Sequence, residues 1–308
     1  MLGFKTGIRL LGVTLLSLTT TAALAREPGA PTSVPAGNTI GVAVAANPPP
    51  GFYFSSRSGY WDAELSDDTG DFGGQKNTLV DTAFQFIWVP GTKVLGGDYK
   101  AFATVPLLYN DQTRTAPFPA PLQGSTNKLA FGNVEIHPLD ISWMVQPGIF
   151  VSTGFSVFAP TGQFSDTAEI NSGGNFWTFS PSVGFSYLRD GWNASLHAQY
   201  FTNTENKDTD YRSGDDVLVN ATAMKDLGGW SMGPVAYYRK QVTSDTNNGT
   251  SYGGTIQGKA EQAGVGLSVS KRFGAIEANV SFTHDVHVRN TVGGDKLWVN
   301  FTMPLGKK

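Results

Sequence analysis

The most regular stretch of the chain runs from Phe176 to Tyr211, and its pattern has a period of two. Trp177, Phe179, Pro181, Val183, Phe185 and Tyr187 alternate with Thr178, Ser180, Ser182, Gly184 and Ser186. After Arg189-Asp190-Gly191, Trp192, Ala194, Leu196, Ala198 and Tyr200 alternate with Asn193, Ser195, His197 and Gln199. Successive side chains of a strand point to opposite faces. Each run therefore predicts a strand with one greasy face and one small, polar face. Each is also long enough to cross a membrane at a tilt.

The same reading from Gly51 onward predicts twelve strands, near 52–65, 78–89, 99–109, 129–145, 149–159, the two runs above, 216–225, 231–241, 256–271, 275–285 and 296–305. Their connections sort by length. Short ones span 90–98, 146–148, 189–191, 227–230 and 272–274. Long polar ones span 66–77, 110–128, 160–175, 204–215, 242–255 and 287–295, alternating with the short set throughout. A soluble sandwich has no reason to sort loops by end. An outer-membrane barrel does, with short periplasmic turns and longer outer loops. Lipid offers a free strand edge no partner, so the sheet must close. The expected fold is all-β: a closed antiparallel transmembrane β-barrel over residues 51–308, with both termini periplasmic. Pro106, Pro138, Pro181 and Pro234 fall inside or near strands, where each removes a ladder donor and predicts a bulge, kink or shortened span.

Two segments precede the barrel. Residues 1–25 carry Lys5 and Arg9, an apolar stretch from Leu10 to Leu18 and Ala23-Leu24-Ala25, the pattern of a cleaved signal peptide. Removing them leaves 283 residues, with 20 basic against 25 acidic side chains. No basic field suggests nucleic acid. The absence of cysteine excludes disulfides and thiolate metal sites. Residues 26–50 are rich in proline and glycine and read as an extended arm, either folded into the barrel interior or a disordered leader. The 37 glycines, 20 phenylalanines, 10 tyrosines and seven tryptophans suit tight turns and aromatic girdles, but a soluble sheet protein would tolerate them too.

Several stretches carry a family resemblance: Pro49-Pro50-Gly51-Phe52-Tyr53-Phe54, Asn175-Phe176-Trp177 with Phe179 and Pro181, Asn203 to Asp215 (NTENKDTDYRSGD), Arg289-Asn290, Gly294-Asp295 and Leu297-Trp298. The chain resembles a family of bacterial outer-membrane channels labelled with a phenol-degradation meta-pathway. The resemblance implies a twelve-stranded barrel for uptake of small hydrophobic molecules, including monoaromatics. It also implies that the segment before the first strand folds into the lumen and narrows it. The chain departs from the common barrel ending, since Phe301 is the aromatic residue nearest its end.

A channel needs a lumen and a constriction rather than a catalytic group. Lumen candidates are Asn193, His197, Gln199, Glu277, Asn279, Thr283 and Asp285, with Arg57, Glu64 and Arg239 in polar networks that hold the arm. Trp298, Phe52, Tyr53 and Phe54 are candidate contacts for an apolar solute, the last three forming a constriction with Pro49 and Pro50. Glu205, Asp208, Asp210, Arg212 and Asp215 concentrate charge on one outer loop. Salt bridges that rigidify the loop explain them better than a divalent cation, whose loop spacing they lack. The four histidines form no compact metal motif, and no cofactor is expected. Expected partners are outer-membrane lipid and lipopolysaccharide, the barrel-assembly machinery and small hydrophobic or aromatic solutes, with the protein monomeric. The rival readings are a plugged structural or adhesive barrel and a lipid hydrolase. The hydrolase would use Ser281, His284 and Asp285, but Ser281 and His284 should point to opposite faces of one strand.

Overall fold

The computed structural model describes residues 26–306, so the predicted signal peptide lies outside the described residues. Among the described residues, twelve strands build the wall. They are β1 (Gly51–Ser66), β2 (Phe72–Val89), β3 (Gly97–Arg114), β4 (Val134–Gln146), β5 (Ile149–Ala159) and β6 (Thr178–Tyr187). The remainder are β7 (Trp192–Asn203), β8 (Asp216–Asp226), β9 (Trp230–Gln241), β10 (Glu261–Phe273), β11 (Ile276–Arg289) and β12 (Thr291–Leu305). Each pairs antiparallel with its chain neighbours. β1 also pairs with β12, from Phe52 opposite Leu305 to Ser66 opposite Thr291, which closes the sheet.

The period-two pattern decides which way each residue points. On β11, Val280 and Phe282 are 46% and 52% exposed, while Ser281 between them is 1% exposed. β6 and β7 behave alike: Val183, Phe185, Trp192 and Leu196 lie on the exposed face, and Ser180, Ser186, Ser195 and Gln199 on the buried one. Apolar residues thus cover the outside, where hydrocarbon accepts them, and small polar residues face in.

Two departures from the predicted elements are informative. The predicted loop 287–295 is mostly ladder, because β11 runs to Arg289 and β12 starts at Thr291, with Asn290 turning at φ 52°. Likewise β2 begins at Phe72 and β3 extends to Arg114. Backbone pairing does not require apolar side chains, so polar sequence continues the ladder beyond the apolar belt. The prolines act as expected. Pro106 lies where β3 changes partner: its Leu107–Arg114 end pairs with the segment Gly124–Phe131, and its Asp98–Thr104 end with β4. Across Pro138 the β4–β5 register shifts, so that Pro138 and Leu139 are both exposed and His137 and Asp140 both buried. The β6–β7 and β8–β9 ladders skip residues at Pro181 and Pro234.

The facing of β11 can be checked in lipid. Val280→Arg should destabilise the barrel by about 2–4 kcal/mol in a vesicle unfolding titration, as expected for a cation on the lipid face near the midplane.

Candidate functional site

Residues 26–47 have no strand partner, so their backbone groups need side chains. The wall's inward-facing residues supply them. Gly37 N donates to Asn220 Oδ1 (3.0 Å), Gly41 N to Thr222 Oγ1 (2.9 Å) and Ala45 N to Ser186 Oγ (3.0 Å). Arg57 Nη2 donates to Gly37 O (2.6 Å), Arg239 Nη1 to Val34 O (2.7 Å) and Ser142 Oγ to Ala45 O (2.5 Å). Asn38 links Gln199 to Asn220, and Thr39 meets His197 Nδ1. At Gly41, φ is +79° and a Cβ would fall 2.6 Å from Ser268 Oγ and 2.7 Å from Asn279 Nδ2, so only glycine fits there.

Around these bonds lies an apolar core the sequence reading did not foresee. Val34, Ala36 and Ile40 pack with Trp61, Phe158, Phe201, Leu218, Val235, Tyr237 and Trp298. Burying Val34 and Ile40 contributes roughly 1.5–3 kcal/mol each. Buried charges are matched beside it. Asp216 is held between Arg26 and Arg239, the latter at 3.2 Å. Asp285 accepts from Tyr237 Oη (2.5 Å) and lies 3.3 Å from Lys296 Nζ, which also donates to Tyr237 (3.0 Å). Removing one member of such a pair would strand a buried charge.

Glu27 lies at the long-loop end. Its carboxylate accepts from Asn206, Thr209 and Tyr252, and its backbone N–H donates to Ser213. Burial pushes the Glu27 carboxyl above the usual range, against the pull of those hydrogen bonds. The first described residues thus lie among the long loops, whereas β12 finishes among the short turns beside Phe52. The two ends of the described chain are therefore at opposite ends of the barrel, unlike the expectation that both termini share the periplasmic side.

Beside residues 30–49 runs a cavity of about 990 Å³. Arg272, Glu277 and Tyr53 line it toward the short turns, and Arg114, Glu169 and Gln75 toward the long loops. Midway it meets Lys100, Phe102, Glu135, His137, Asp140 and Ser156 from three adjacent strands.

The predicted residues divide by location. Asn193, His197, Gln199, Asn279, Thr283, Asp285, Arg57 and Arg239 all face inward, in the networks described or beside them. Glu277 lies at the cavity mouth, paired with Arg272 at 3.0 Å. Glu64 does not face the lumen: it is exposed and pairs with Lys76 at 2.7 Å. Its neighbours Trp61, Ala63 and Leu65 occupy the inward face instead, and at Trp61 the arm makes the interior apolar. Phe52 and Phe54 also point outward; Phe52 stacks on Trp88, and Phe54 packs against Phe84, Phe86 and Phe301. Of the expected constriction, Pro49 and Tyr53 line the cavity, with Tyr53 Oη donating to Pro49 O, and Pro50 is exposed. Trp298 is fully buried under Arg57 and against Trp61, so it cannot meet a solute there. In the loop, Lys207 pairs with Glu205 and Arg212 with Asp215, both at 2.7 Å. Asp208 accepts from Asn175, and Asp210 turns with φ 51°. Lys100, His137, Asp140, Asp216 and Lys296 were missed. Pro138 was the available signal for His137 and Asp140, since residues three apart share a strand face only across a bulge.

A closed antiparallel wall, apolar outside and polar within, defines an outer-membrane β-barrel. The chain belongs to the family described as "Putative MetA-pathway of phenol degradation", whose model matches residues 55–301. Its fold is similar to that of the COG4313 outer membrane channel from Pseudomonas putida F1, at 12% identity and a TM-score of 0.69, covering 85% of this chain and 97% of that one. More distant matches include the β domain of the Bordetella autotransporter BrkA, at 12% identity and a TM-score of 0.47, covering 83% of this chain and 100% of that one. Another is the CymD monoaromatic hydrocarbon channel, at 8% identity and 0.40, covering 84% and 89%. No curated protein matches the sequence.

The Glu27 site gives a signed pH dependence. A carboxyl whose pKa is raised by folding stabilises the fold below its unfolded value and loses that contribution as pH rises through the folded one. Glu27→Gln should therefore match the native protein in thermal stability near pH 4 and exceed it near pH 7, when both are melted in the same detergent.

Proposed function

We propose that this protein is an outer-membrane channel for passive uptake of small hydrophobic or aromatic molecules. On this reading residues 26–50 occupy the lumen and narrow it. The observation that carries it is the cavity beside the arm, lined at one end by short-turn residues and at the other by long-loop residues. The family assignment and the likeness in fold to a solved outer-membrane channel support it. The short turns then face the periplasm, and Glu27 lies at the outer mouth. Residues 1–25 serve as the export signal, and the barrel reaches the membrane as a monomer through the assembly machinery, with lipopolysaccharide around its outer rim.

The reading is non-enzymatic. Ser281 is buried and bonded to Ser268 and Asn279, whereas His284 lies on the exposed face with Asp295 at 2.8 Å. They therefore form no relay. A plugged structural barrel would share every feature of the wall, so transport must separate the two.

Purified protein in planar bilayers should conduct ions, and in liposomes it should admit small, modestly polar solutes. Deleting residues 26–47 should raise conductance severalfold. No flux above protein-free membranes, before and after the deletion, would favour the structural barrel.

A further inference from the structure

The lipid-facing side of β9, β10 and β11 ends, toward the long loops, in a row of charge. Lys240, Glu261 and Arg289 stand directly opposite one another across the three strands. Lys259 is exposed two residues before Glu261, and its Nζ donates to Val242 O (2.8 Å). His287 lies one row closer to the apolar belt, opposite Ala263. A bulge sets this arrangement. Asp285 faces inward, so in a regular strand His287 and Arg289 would face inward with it. The β10–β11 register instead shifts between Ala263 and Gly264, with Val286 as the extra residue, and both side chains turn outward to Glu261.

Glu261 does not saturate these cations. Its carboxylate lies 3.4 Å from Lys240 Nζ, 3.4 Å from Arg289 Nη2 and 4.0 Å from His287 Nε2. A tight charged hydrogen bond is about 2.7–2.9 Å. The Glu261 side chain is 16% exposed, against 45% for Lys240 and 42% for Arg289. The acid is thus recessed, and it already accepts from Tyr238 Oη. The cations lie over it, with donors to spare. Outward charges on either side are matched or acidic. Arg212 pairs with Asp215 at 2.7 Å and His284 with Asp295 at 2.8 Å, and Asp295 stands opposite the exposed Asp62. Uncompensated positive charge on this side of the wall therefore gathers at β9–β11.

The height of the row says what it meets. At the other end of the same strands Trp230 stands opposite Lys271, whose Nζ lies 4.1 Å over its ring, as in an inner aromatic girdle. From Lys271 to Glu261 the strand covers roughly 33 Å, which at a tilt of about 40° is about 25 Å across the membrane, the height of a barrel's apolar band. Met232, Val265, Leu267, Val280 and Phe282 fill the interval, exposed and apolar. The row is therefore level with the headgroups of the second leaflet. The complementary charge at that level is phosphate, which arginine meets with a planar fork and lysine as a point charge. The acyl chains of the same molecule would lie along the apolar column beneath.

We propose that Lys240, Lys259, Arg289 and His287 form a docking site on the outer wall for a phosphorylated glycolipid of the outer leaflet, lipopolysaccharide, held through a phosphate of its lipid A. The inference rests on the long loops lying outside the cell and is independent of transport.

Native mass spectrometry of the full-length protein in detergent, with purified lipid A added, tests it. Lipid A should bind one to one, and its fully dephosphorylated form about tenfold more weakly. Lys240→Gln combined with Arg289→Gln should weaken lipid A about tenfold, whereas Lys76→Gln, at the outward Glu64 pair, should leave it unchanged. Glu261→Gln should strengthen binding about threefold, because it frees donors and removes the repelling charge. A carboxylate that merely braces the wall would give the opposite sign. Heat-modifiable migration on gels reports folding, and where Glu261→Gln fails to fold the paired variant decides. Binding indifferent to the phosphates, equal in the paired variant and the native protein, or displaced by equimolar phosphatidylglycerol or inorganic phosphate would overturn the proposal. Because the chain has no cysteine, impermeant maleimide on intact cells checks orientation separately. Labelling of Ser244→Cys but not Leu227→Cys places the long loops outside, whatever lipid A does; the reverse removes that orientation and the docking site with it.

Discussion

In hydrocarbon, each backbone amide or carbonyl left without a partner costs several kcal/mol. That constraint shapes the whole molecule. It forces β1 to find β12, from Phe52 opposite Leu305 to Ser66 opposite Thr291. Once the ring is closed, a strand's two faces meet different solvents, and the period of two in the side chains becomes a division between lipid and interior. The sequence must then satisfy two environments with one alternating pattern, and β6, β7 and β11 do so.

Inside, the constraint recurs in another form. Residues 26–47 carry backbone polar groups but no ladder, so the wall must supply partners residue by residue. Asn220, Thr222, Arg57, Arg239, Ser186 and Ser142 do this from β8, β1, β9, β6 and β4. Such side chains are useful only where they point inward. The apolar contribution of Val34, Ala36 and Ile40 adds to these bonds and explains why Trp61 and Trp298 are inward residues.

The barrel itself was legible in the sequence because its signal is repeated. Twelve alternating runs and the sorting of the short turns each point to closure. Individual facings were legible only where lipid and water sort residues without interference. On β1 they were not, since the arm makes the interior beside Trp61 apolar and Glu64, on the other face, went outward, so the assumption of a uniformly wet lumen failed there. The 287–295 segment was read as loop from its polarity, although a ladder above the apolar belt needs only backbone groups. The buried pairings of Asp216 and Lys296 were not read because a charge on a strand takes its meaning from partners far away in sequence. His137 and Asp140 were hidden by Pro138. A bulge reverses the parity of every residue after it, and parity was the only ruler available.

The same ruler shows why the charged residues midway along the cavity sit where they do. Before Pro138 the inward positions of β4 include Glu135 and His137; after it they include Asp140 and Ser142. One extra residue on the outer face thus brings the Asp140 carboxylate alongside Lys100 and lets Ser142 reach Ala45. Ties to the arm are dense from Glu27 to Gly41. From Val42 to Asn47 they reduce to Ala45 and to Asn47, whose Nδ2 donates to Asp98 O. The part of the arm that borders the middle of the cavity is therefore its least-bonded stretch, next to the strand whose geometry proline has altered.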